Sequence, residues 1–284
     1  MKKPPAILLH WILPALACVL MLSGCAGIQS HARPAPVPDI APGFPAGYLP
    51  PDLLPNSRAL LNPPPAEDSP AFALDRKIAA EALTLRGTPR WKLAVEDANL
   101  KFPRAAGAFA CAVQVRISEK ETPRLYTLLR RTMTDAGFSA YSAQNHYKRP
   151  RPFIVNREPS CTPDEENFLS QYGSYPSGHT SIGWAWALIL AEIAPGRTNE
   201  ILGRGRAFGE SRIICGVHWR SDVNAGFLVG AGVVARLHAD PVFQADLEAA
   251  KAELAAARAK GIPPLRDCAA ERAALSFKLF PAGK

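Results

Sequence analysis

The chain has 284 residues, of which 48% are hydrophobic and 20% are charged, and its formal net charge is +8. This length and composition suit one globular domain, since single cores run to roughly 250–300 residues. The net positive charge favours anionic partners such as phosphates, nucleic acid or membrane surfaces. The alternative is that this charge serves only to keep the protein soluble. No basic tract is interleaved with aromatic residues, so nucleic-acid binding is not predicted.

Residues 1–24 are predicted to be a signal peptide. The apolar run 7–21 follows two lysines and is too short to favour a transmembrane helix. Residues 22–25, Leu-Ser-Gly-Cys, resemble a bacterial lipobox, where cleavage precedes the cysteine and its thiol is acylated. We therefore expect an exported lipoprotein anchored through Cys25, with an ordinary secretory signal as the alternative. Because Ala26 follows, the expected anchor in a Gram-negative source is the periplasmic face of the outer membrane.

An exported protein meets an oxidising compartment, in which cysteines can pair. Beyond Cys25 the sequence has four cysteines, Cys111, Cys161, Cys215 and Cys268, which allow three connectivities. Cys161 and Cys215 flank the motif region described below, and the other two lie outside it. The favoured pairing is therefore Cys161–Cys215 with Cys111–Cys268, and buried free thiols are the alternative.

Residues 25–70 are rich in proline, which predicts an extended tether and N-terminal extension without helices. The later half of this segment is expected to pack onto the following domain through its apolar residues: Tyr48, Leu49, Leu53, Leu54, Leu60 and Leu61.

Beyond residue 70 the apolar residues recur with helical periodicity. No segment alternates convincingly with period two, so the predicted class is all-α. Helices are predicted at 72–85, 90–99, 123–136, 177–193, 198–208, 221–237 and 241–260, with Thr122 as the cap of the third.

Three polar clusters carry the candidate chemistry. They are residues 148–152 (Lys-Arg-Pro-Arg-Pro), residues 176–179 (Pro-Ser-Gly-His), and Ser211-Arg212 followed by His218 and Asp222. Taken alone, each has a plain interpretation: a solvated arginine pair, a helix cap beside a chance histidine, and a surface pair four residues apart. Their combined spacing is far more specific.

This pattern resembles the signature of the phosphatidic acid phosphatase type 2 superfamily. The flanking stretches 92–99, 147–153, 173–184 and 212–219 are similar to the soluble class A nonspecific acid phosphatases of that superfamily. The resemblance implies a helical bundle of the phosphatidic acid phosphatase type 2/haloperoxidase fold, with a catalytic domain at 71–262 and a C-terminal tail at 263–284. It also implies a broad-specificity acid phosphatase acting on small phosphomonoesters.

The resemblance further implies a role for each motif residue. His218 is the nucleophile that forms a phosphohistidine, Asp222 holds its ring by accepting the other N–H, and His179 is the general acid. Arginine charges, a hydroxyl and a helix N-terminus suit phosphate oxygens, which assigns phosphate binding to Arg151, Arg212, Ser177 and Gly178. Because arginines stabilise the transferring group and no zinc motif is present, neither a metal nor a cofactor is expected.

One position departs from the family pattern. The signature opens with a lysine that six residues separate from the Arg-Pro pair, and here that position is Gln144. Glutamine can donate a hydrogen bond to phosphate but brings no charge, a loss of about 1.5–3 kcal/mol. Lys148 and Arg149 are candidates to compensate.

Three other functions remain open. A vanadium haloperoxidase would hold vanadate in the same cradle. A lipid phosphatase is disfavoured, because only the signal peptide is long and apolar enough to approach a membrane. A phosphate- or nucleotide-binding lipoprotein with a weakly active site is supported by Gln144 alone. The expected partners are small phosphomonoesters and a lipid anchor, without nucleic acid, and homo-oligomer formation is left open.

Overall fold

The computed structural model describes residues 1–2 and 34–279. Most of the predicted signal peptide, the predicted lipidation residue Cys25 and the start of the proline-rich segment lie outside the described residues.

Residues 34–279 are mainly helical, which confirms the predicted class. The helices are α1 (Ser57–Leu60), α2 (Pro70–Leu83), α3 (Pro89–Asp97), α4 (Ala110–Val113), α5 (Pro123–Ser139), α6 (Tyr141–Tyr147), α7 (Pro152–Asn156), α8 (Glu166–Leu169), α9 (Gly178–Ile193), α10 (Thr198–Ile214), α11 (Arg220–Leu237), α12 (Pro241–Ala259) and α13 (Cys268–Ser276). Short 3₁₀ segments lie at Pro51–Leu53, Arg104–Phe109, Pro163–Glu165 and Pro195–Arg197. This part of the chain also contains one antiparallel strand pair that the sequence did not predict, β1 (Asp39–Ala41) and β2 (Phe44–Pro45).

Most long helices begin where the sequence predicts because capping residues mark their starts. A side-chain oxygen accepts a hydrogen bond from the first turn of α2, α3, α9 and α12. The capping residues are Ser69, Thr88, Ser177 and Asp240.

Helix α5 begins at Pro123 as predicted, but Thr122 does not cap it. The Thr122 hydroxyl instead accepts a hydrogen bond from the N–H of Ser118 at 3.0 Å. The carboxylate of Glu253 in α12 accepts the N–H groups of Arg124 and Leu125 at 3.1 and 2.9 Å. The cap of α5 therefore comes from α12. Because the two helices lie far apart in the sequence, a search for capping residues next to Pro123 cannot identify it.

Helix α10 extends past its predicted end at Phe208 to Ile214. Gly209 interrupts the helical pattern of the sequence, but here it makes room for a neighbouring helix. A Cβ at this position would lie 2.8 Å from the ring of Phe227 in α11. The last turn is retained because Ile213 and Ile214 are buried.

The centre of the fold is α9, which packs against α5, α10 and α11. Its side chains are apolar on nearly every face, as expected for a helix surrounded by others. Gly230 brings α11 so close that a Cβ there would lie 2.5 Å from the carbonyl oxygen of Ser181. Among the helices of residues 34–279, none combines the length and apolar character needed to cross a membrane.

The N-terminal extension packs onto the helices through part of its apolar set. Tyr48, Leu49 and Leu61 are buried as expected, whereas Leu53 and Leu60 are exposed, which corrects that expectation. The prediction of a helix-free extension is also wrong, because Asn56 caps the short helix α1. The N–H groups of Tyr48 and Leu49 donate to the buried carboxylate of Asp135 at 2.9 and 3.1 Å, which holds the extension against α5.

Two disulfides join Cys111 to Cys268 and Cys161 to Cys215, the pairing that the sequence favours. The first links α4 to α13, a helix in the segment assigned to the C-terminal tail. Asp267 caps α13 by accepting two backbone N–H groups, a start signal that the sequence reading missed.

We expect Glu253→Ala to lower the free energy of unfolding by about 1–2 kcal/mol, because it removes the cap of α5. Urea unfolding of the chain starting after Cys25 measures this. The control is Glu248→Ala in the same helix, whose carboxylate makes only an exposed contact of 3.7 Å with Lys251. Equal effects of the two substitutions would contradict the capping role.

Candidate active site

The three helices of the core carry the predicted site residues to one place. His179 lies in the first turn of α9, Arg212 in the last turn of α10, and Asp222 in the first turn of α11. His218 lies in the connection between α10 and α11, and Arg151 directly precedes α7. The site therefore depends on the close packing of α9 with α10 and α11.

The contacts of His218 show which ring nitrogen carries the proton. Nε2 lies 3.1 Å from Nη1 of Arg151, a group that can only donate. Nδ1 lies 2.8 Å from the carbonyl oxygen of Ser174, a group that can only accept. The neutral ring is therefore protonated at Nδ1 and has its lone pair on Nε2, the form that a nucleophilic Nε2 requires.

The position of Asp222 corrects one predicted contact. Its Oδ2 lies 3.5 Å from Nδ1 of His218, so the hydrogen bond predicted for Asp222 is made by the carbonyl of Ser174 instead. Asp222 is directed elsewhere because its Oδ2 accepts the N–H of Trp219 at 2.8 Å and its Oδ1 accepts Nη1 of Arg149 at 2.6 Å. The carboxylate thus acts on the His218 ring as a nearby charge.

The site keeps His218 unprotonated. Burial lowers the pKa of His218 well below its ordinary value, and the charges of Arg151 and Arg212 lower it further. The ring therefore retains its Nε2 lone pair in mildly acidic solution, where an exposed histidine would be protonated.

His179 bonds to the backbone through one ring nitrogen. Nε2 lies 3.0 Å from the carbonyl oxygen of Ala98, so Nε2 carries a proton and Nδ1 remains for proton transfer. Burial lowers the pKa of His179 well below its ordinary value, and Arg212 is the next cause. A bound anion beside this ring would offset both effects and favour the protonated form.

Arg151 is held in place by the backbone. Nε donates to the carbonyl of Leu169 at 2.9 Å, Nη1 to that of Val217 at 3.0 Å, and Nη2 to that of Gly173 at 3.3 Å. Burial lowers the pKa of Arg151 to about 10, which leaves it charged at physiological pH.

Arg212 is buried without a hydrogen-bond partner. Its side chain has 0% relative exposure, and none of its three guanidinium nitrogens bonds to another described residue. Burial lowers its pKa to about 10, so it stays charged. Since an unpaired buried cation is strongly unfavourable, this arrangement is that of a binding site for an anion.

Ser177 and Gly178 form the start of α9. The Ser177 hydroxyl accepts hydrogen bonds from the N–H and the hydroxyl of Thr180 at 3.2 and 2.9 Å. Both of its acceptor positions are thus occupied, and its own hydrogen remains for an anion oxygen. The N–H of Gly178 belongs to the first turn of the helix, where N–H groups have no partner within the helix.

Gln144 contacts the loop that directly precedes Ser177. Its side chain is buried, and Nε2 donates to the carbonyl of Pro176 at 2.8 Å. Neither candidate for charge compensation takes its place, because Lys148 is exposed and Arg149 contacts carboxylates. The cradle therefore lacks the third cation of the family signature.

Several contributing groups were missed from the sequence. The carbonyls of Ser174 and Ala98 have no sequence signal, because any residue has a carbonyl. Ser211 of the third cluster does not face the anion site, since its hydroxyl donates to Asp97 at 2.7 Å and accepts Nη1 of Arg90 at 2.9 Å. Asp97 directly precedes Ala98, so this buried network also supports the contact of His179.

Comparison with known proteins finds a family match over the region of the site. The family model of the PAP2 superfamily matches residues 126–244. The non-specific acid phosphatase of Salmonella typhimurium is 43% identical over 200 residues, which cover 70% of this chain and 80% of that protein. The non-specific acid phosphatase of Providencia stuartii is 44% identical, covering 70% and 81%, and the acid phosphatase of Zymomonas mobilis is 41% identical, covering 72% and 77%. The solved structure of a bacterial vanadium-dependent iodoperoxidase aligns with a TM-score of 0.45 at 17% identity, covering 63% of this chain and 52% of that chain.

Gln144→Lys is expected to raise kcat/KM on an aryl phosphate about tenfold, because it adds a positive charge next to the loop that carries Ser177 and Gly178. The matched control is Gln144→Met, which removes the donor without adding charge and should lower kcat/KM. An unchanged or lower value for Gln144→Lys would contradict this interpretation of Gln144.

Arg212→Met is expected to stabilise the fold and to remove activity. Loss of the unpaired buried charge should raise the free energy of unfolding by about 1 kcal/mol or more, while kcat/KM falls by about 10²–10³. Thermal unfolding with and without inorganic phosphate provides a second readout, since phosphate should raise the Tm of the wild type and not of the variant. A destabilised variant whose Tm still rises with phosphate would contradict the assignment.

Proposed function

Because the chain belongs to the bacterial non-specific acid phosphatases of the PAP2 superfamily, we propose that it hydrolyses phosphate monoesters through a phosphoryl group carried by His218. The observation that carries this proposal is the buried, unpartnered guanidinium of Arg212 near a histidine whose Nε2 holds a lone pair. The first feature suits a phosphate dianion, and the second suits attack on its phosphorus.

The phosphate dianion binds between the two buried arginines. Arg212 donates to its oxygens without giving up any other hydrogen bond. Arg151 transfers its Nη1 hydrogen bond from His218 to a phosphate oxygen, which uncovers the Nε2 lone pair. The Ser177 hydroxyl and the first turn of α9 supply neutral donors. These groups all act on the phosphoryl oxygens, which supports broad specificity toward the rest of the substrate.

In the first step, Nε2 of His218 forms a bond to phosphorus as the bond to the ester oxygen breaks. The ester oxygen takes the electron pair of that bond and a proton from Nδ1 of His179. The His218 ring becomes positively charged, and two groups stabilise it: the Ser174 carbonyl accepts its Nδ1–H, and the Asp222 carboxylate lies 3.5 Å away.

In the second step, water attacks the phosphorus and His218 leaves with the electron pair of the P–N bond. Nδ1 of His179, now unprotonated, takes a proton from the water. The cycle needs His218 neutral and His179 protonated at the start. The two requirements agree with an acidic optimum. The bound dianion raises the pKa of His179 and favours its protonated form, whereas the low pKa of His218 keeps its Nε2 unprotonated.

We also propose that the enzyme is exported and tethered to the outer membrane, facing the periplasm, through a lipid on Cys25. The signal-like residues 1–24 and the lipobox support this proposal. The two disulfides of the described chain suit an oxidising compartment.

His179→Asn is expected to depend on the leaving group. For an alkyl phosphate, whose alkoxide needs a proton, kcat/KM should fall by about 10²–10⁴, whereas for p-nitrophenyl phosphate the loss in kcat/KM, which reports the first step alone, should be much smaller. The control is His146→Asn, which changes an exposed histidine of α6. An equal loss across a series of leaving groups would show that His179 is not the acid.

The proposed chemistry relies on arginine charges, so activity on p-nitrophenyl phosphate at acid pH should persist in a chelator. The chain starting after Cys25 is the form to assay, beside His218→Ala as the inactive control. Loss of activity with the chelator would contradict the mechanism. A wild type no faster than His218→Ala would show that the site only binds phosphate.

A further inference from the structure

Asp222 is held by Arg149, whose guanidinium bonds to carboxylates and a hydroxyl and to none of the proposed phosphate-binding residues. Nη1 of Arg149 donates to Oδ1 of Asp222 at 2.6 Å and to the Ser221 hydroxyl at 2.7 Å, and Nη2 donates to Oδ2 of Asp75 at 2.8 Å. The two carboxylates and the guanidinium are at most 7% exposed. The rings of Phe72 and Trp219 lie 5.3 and 5.6 Å from Cζ of Arg149 and shield it from water.

The second carboxylate comes from outside the family signature. Asp75 lies in α2, before the matched residues 126–244. Its Oδ1 accepts the N–H of Ser221 at 2.9 Å, and its Oδ2 accepts the Ser221 hydroxyl. Asp75 therefore contacts both Arg149 and the first turn of α11, the turn that carries Asp222.

We propose that Asp75 and Arg149 are positioning residues that keep Asp222 ionised and hold its carboxylate beside the His218 ring during phosphoryl transfer. This inference rests on the proposed function. Arg149 alone would form a neutral pair with Asp222 and cancel its charge. With Asp75, the three side chains carry a net charge of −1, so negative charge remains beside the His218 ring when that ring becomes positive.

The electrostatics of Asp222 agree with this assignment. Burial raises the pKa of Asp222 to about 6, and the charge of Arg149 is the largest influence that lowers it. Without Arg149, the pKa of Asp222 would rise further, so the carboxyl would become protonated at a higher pH. The charged and titratable groups that face or surround Asp222 are Asp75 from α2, Arg149 and Arg151 from the segment between α6 and α7, Tyr175 from the segment before α9, and His218.

The test is the pH dependence of kcat on phenyl phosphate for three variants. Arg149→Met should lower kcat about 10–100-fold. It should also move the acid limb, the fall of kcat toward low pH, upward by about one pH unit or more, because Asp222 loses its cation. Asp75→Asn keeps an acceptor for the Ser221 N–H but removes the second charge. It should lower kcat while moving the acid limb downward, because Arg149 then pairs with Asp222 alone.

Arg149→Lys is the second arginine variant, because Arg149→Met leaves two buried carboxylates without a cation. Lysine keeps the charge but lacks the planar fork that reaches both carboxylates. Its acid limb should stay near that of the wild type while kcat falls. Arg86→Met, which removes a surface ion pair with Glu158, is the control and should match the wild type.

The opposite shifts of Arg149→Met and Asp75→Asn separate positioning from a purely structural role. A structural role would lower stability or activity and leave both acid limbs in place, which would overturn the proposal. An upward shift in Asp75→Asn would overturn the part assigned to Asp75. These outcomes require a wild type with His218-dependent activity, so they are distinct from a failure of the proposed function, in which the wild type equals His218→Ala.

Discussion

The structure of the site depends on one unfavourable feature, the buried positive charge of Arg212. A guanidinium that has left water without gaining a partner is tolerated only where the surrounding fold is rigid enough to hold it. Its charge also sets the chemistry around it. Burial lowers the pKa values of His218 and His179 most, and the charge of Arg212 lowers both further. Its unpartnered guanidinium also suits an oxyanion. Binding of phosphate therefore relieves the electrostatic cost and prepares both histidines together.

The fold tolerates this charge through close helix packing and through bonds placed around the motif. Glycines in α10 and α11 let the three core helices pack so closely that an added Cβ would lie 2.8 Å from Phe227 at Gly209 and 2.5 Å from the Ser181 carbonyl at Gly230. The Cys161–Cys215 disulfide ties the end of α10 to the segment before α8, and the Cys215 carbonyl accepts the N–H of Cys161 at 2.9 Å. His218 is the third residue after Cys215. His218, the proposed nucleophile, thus lies on a connection that is fixed at both ends, by the disulfide on one side and by Asp222 and α11 on the other.

Much of this could be predicted from the sequence. Helical periodicity and capping residues located the long helices, and the spaced clusters identified residues that the fold brings together. What could not be predicted depends on distant or backbone partners. Asp75 is an ordinary acidic residue in an amphipathic helix, and nothing in its neighbourhood indicates Arg149. The Ser174 carbonyl takes the hydrogen bond assigned to Asp222, because Asp222 is occupied by Trp219 and Arg149. Gln144 was recognised as a departure, but its contact with Pro176 is visible only in three dimensions.

Trapping the phosphohistidine intermediate tests most directly whether His218 carries the phosphoryl group. The enzyme is mixed with ³²P-labelled phenyl phosphate at acid pH, quenched in alkali, which preserves phosphohistidine, and digested for peptide mapping. Label is expected on the peptide that contains His218, and it should be lost in His218→Ala and retained in His146→Asn. Rapid turnover by the wild type with no labelled protein, or label on another residue, would contradict this role of His218.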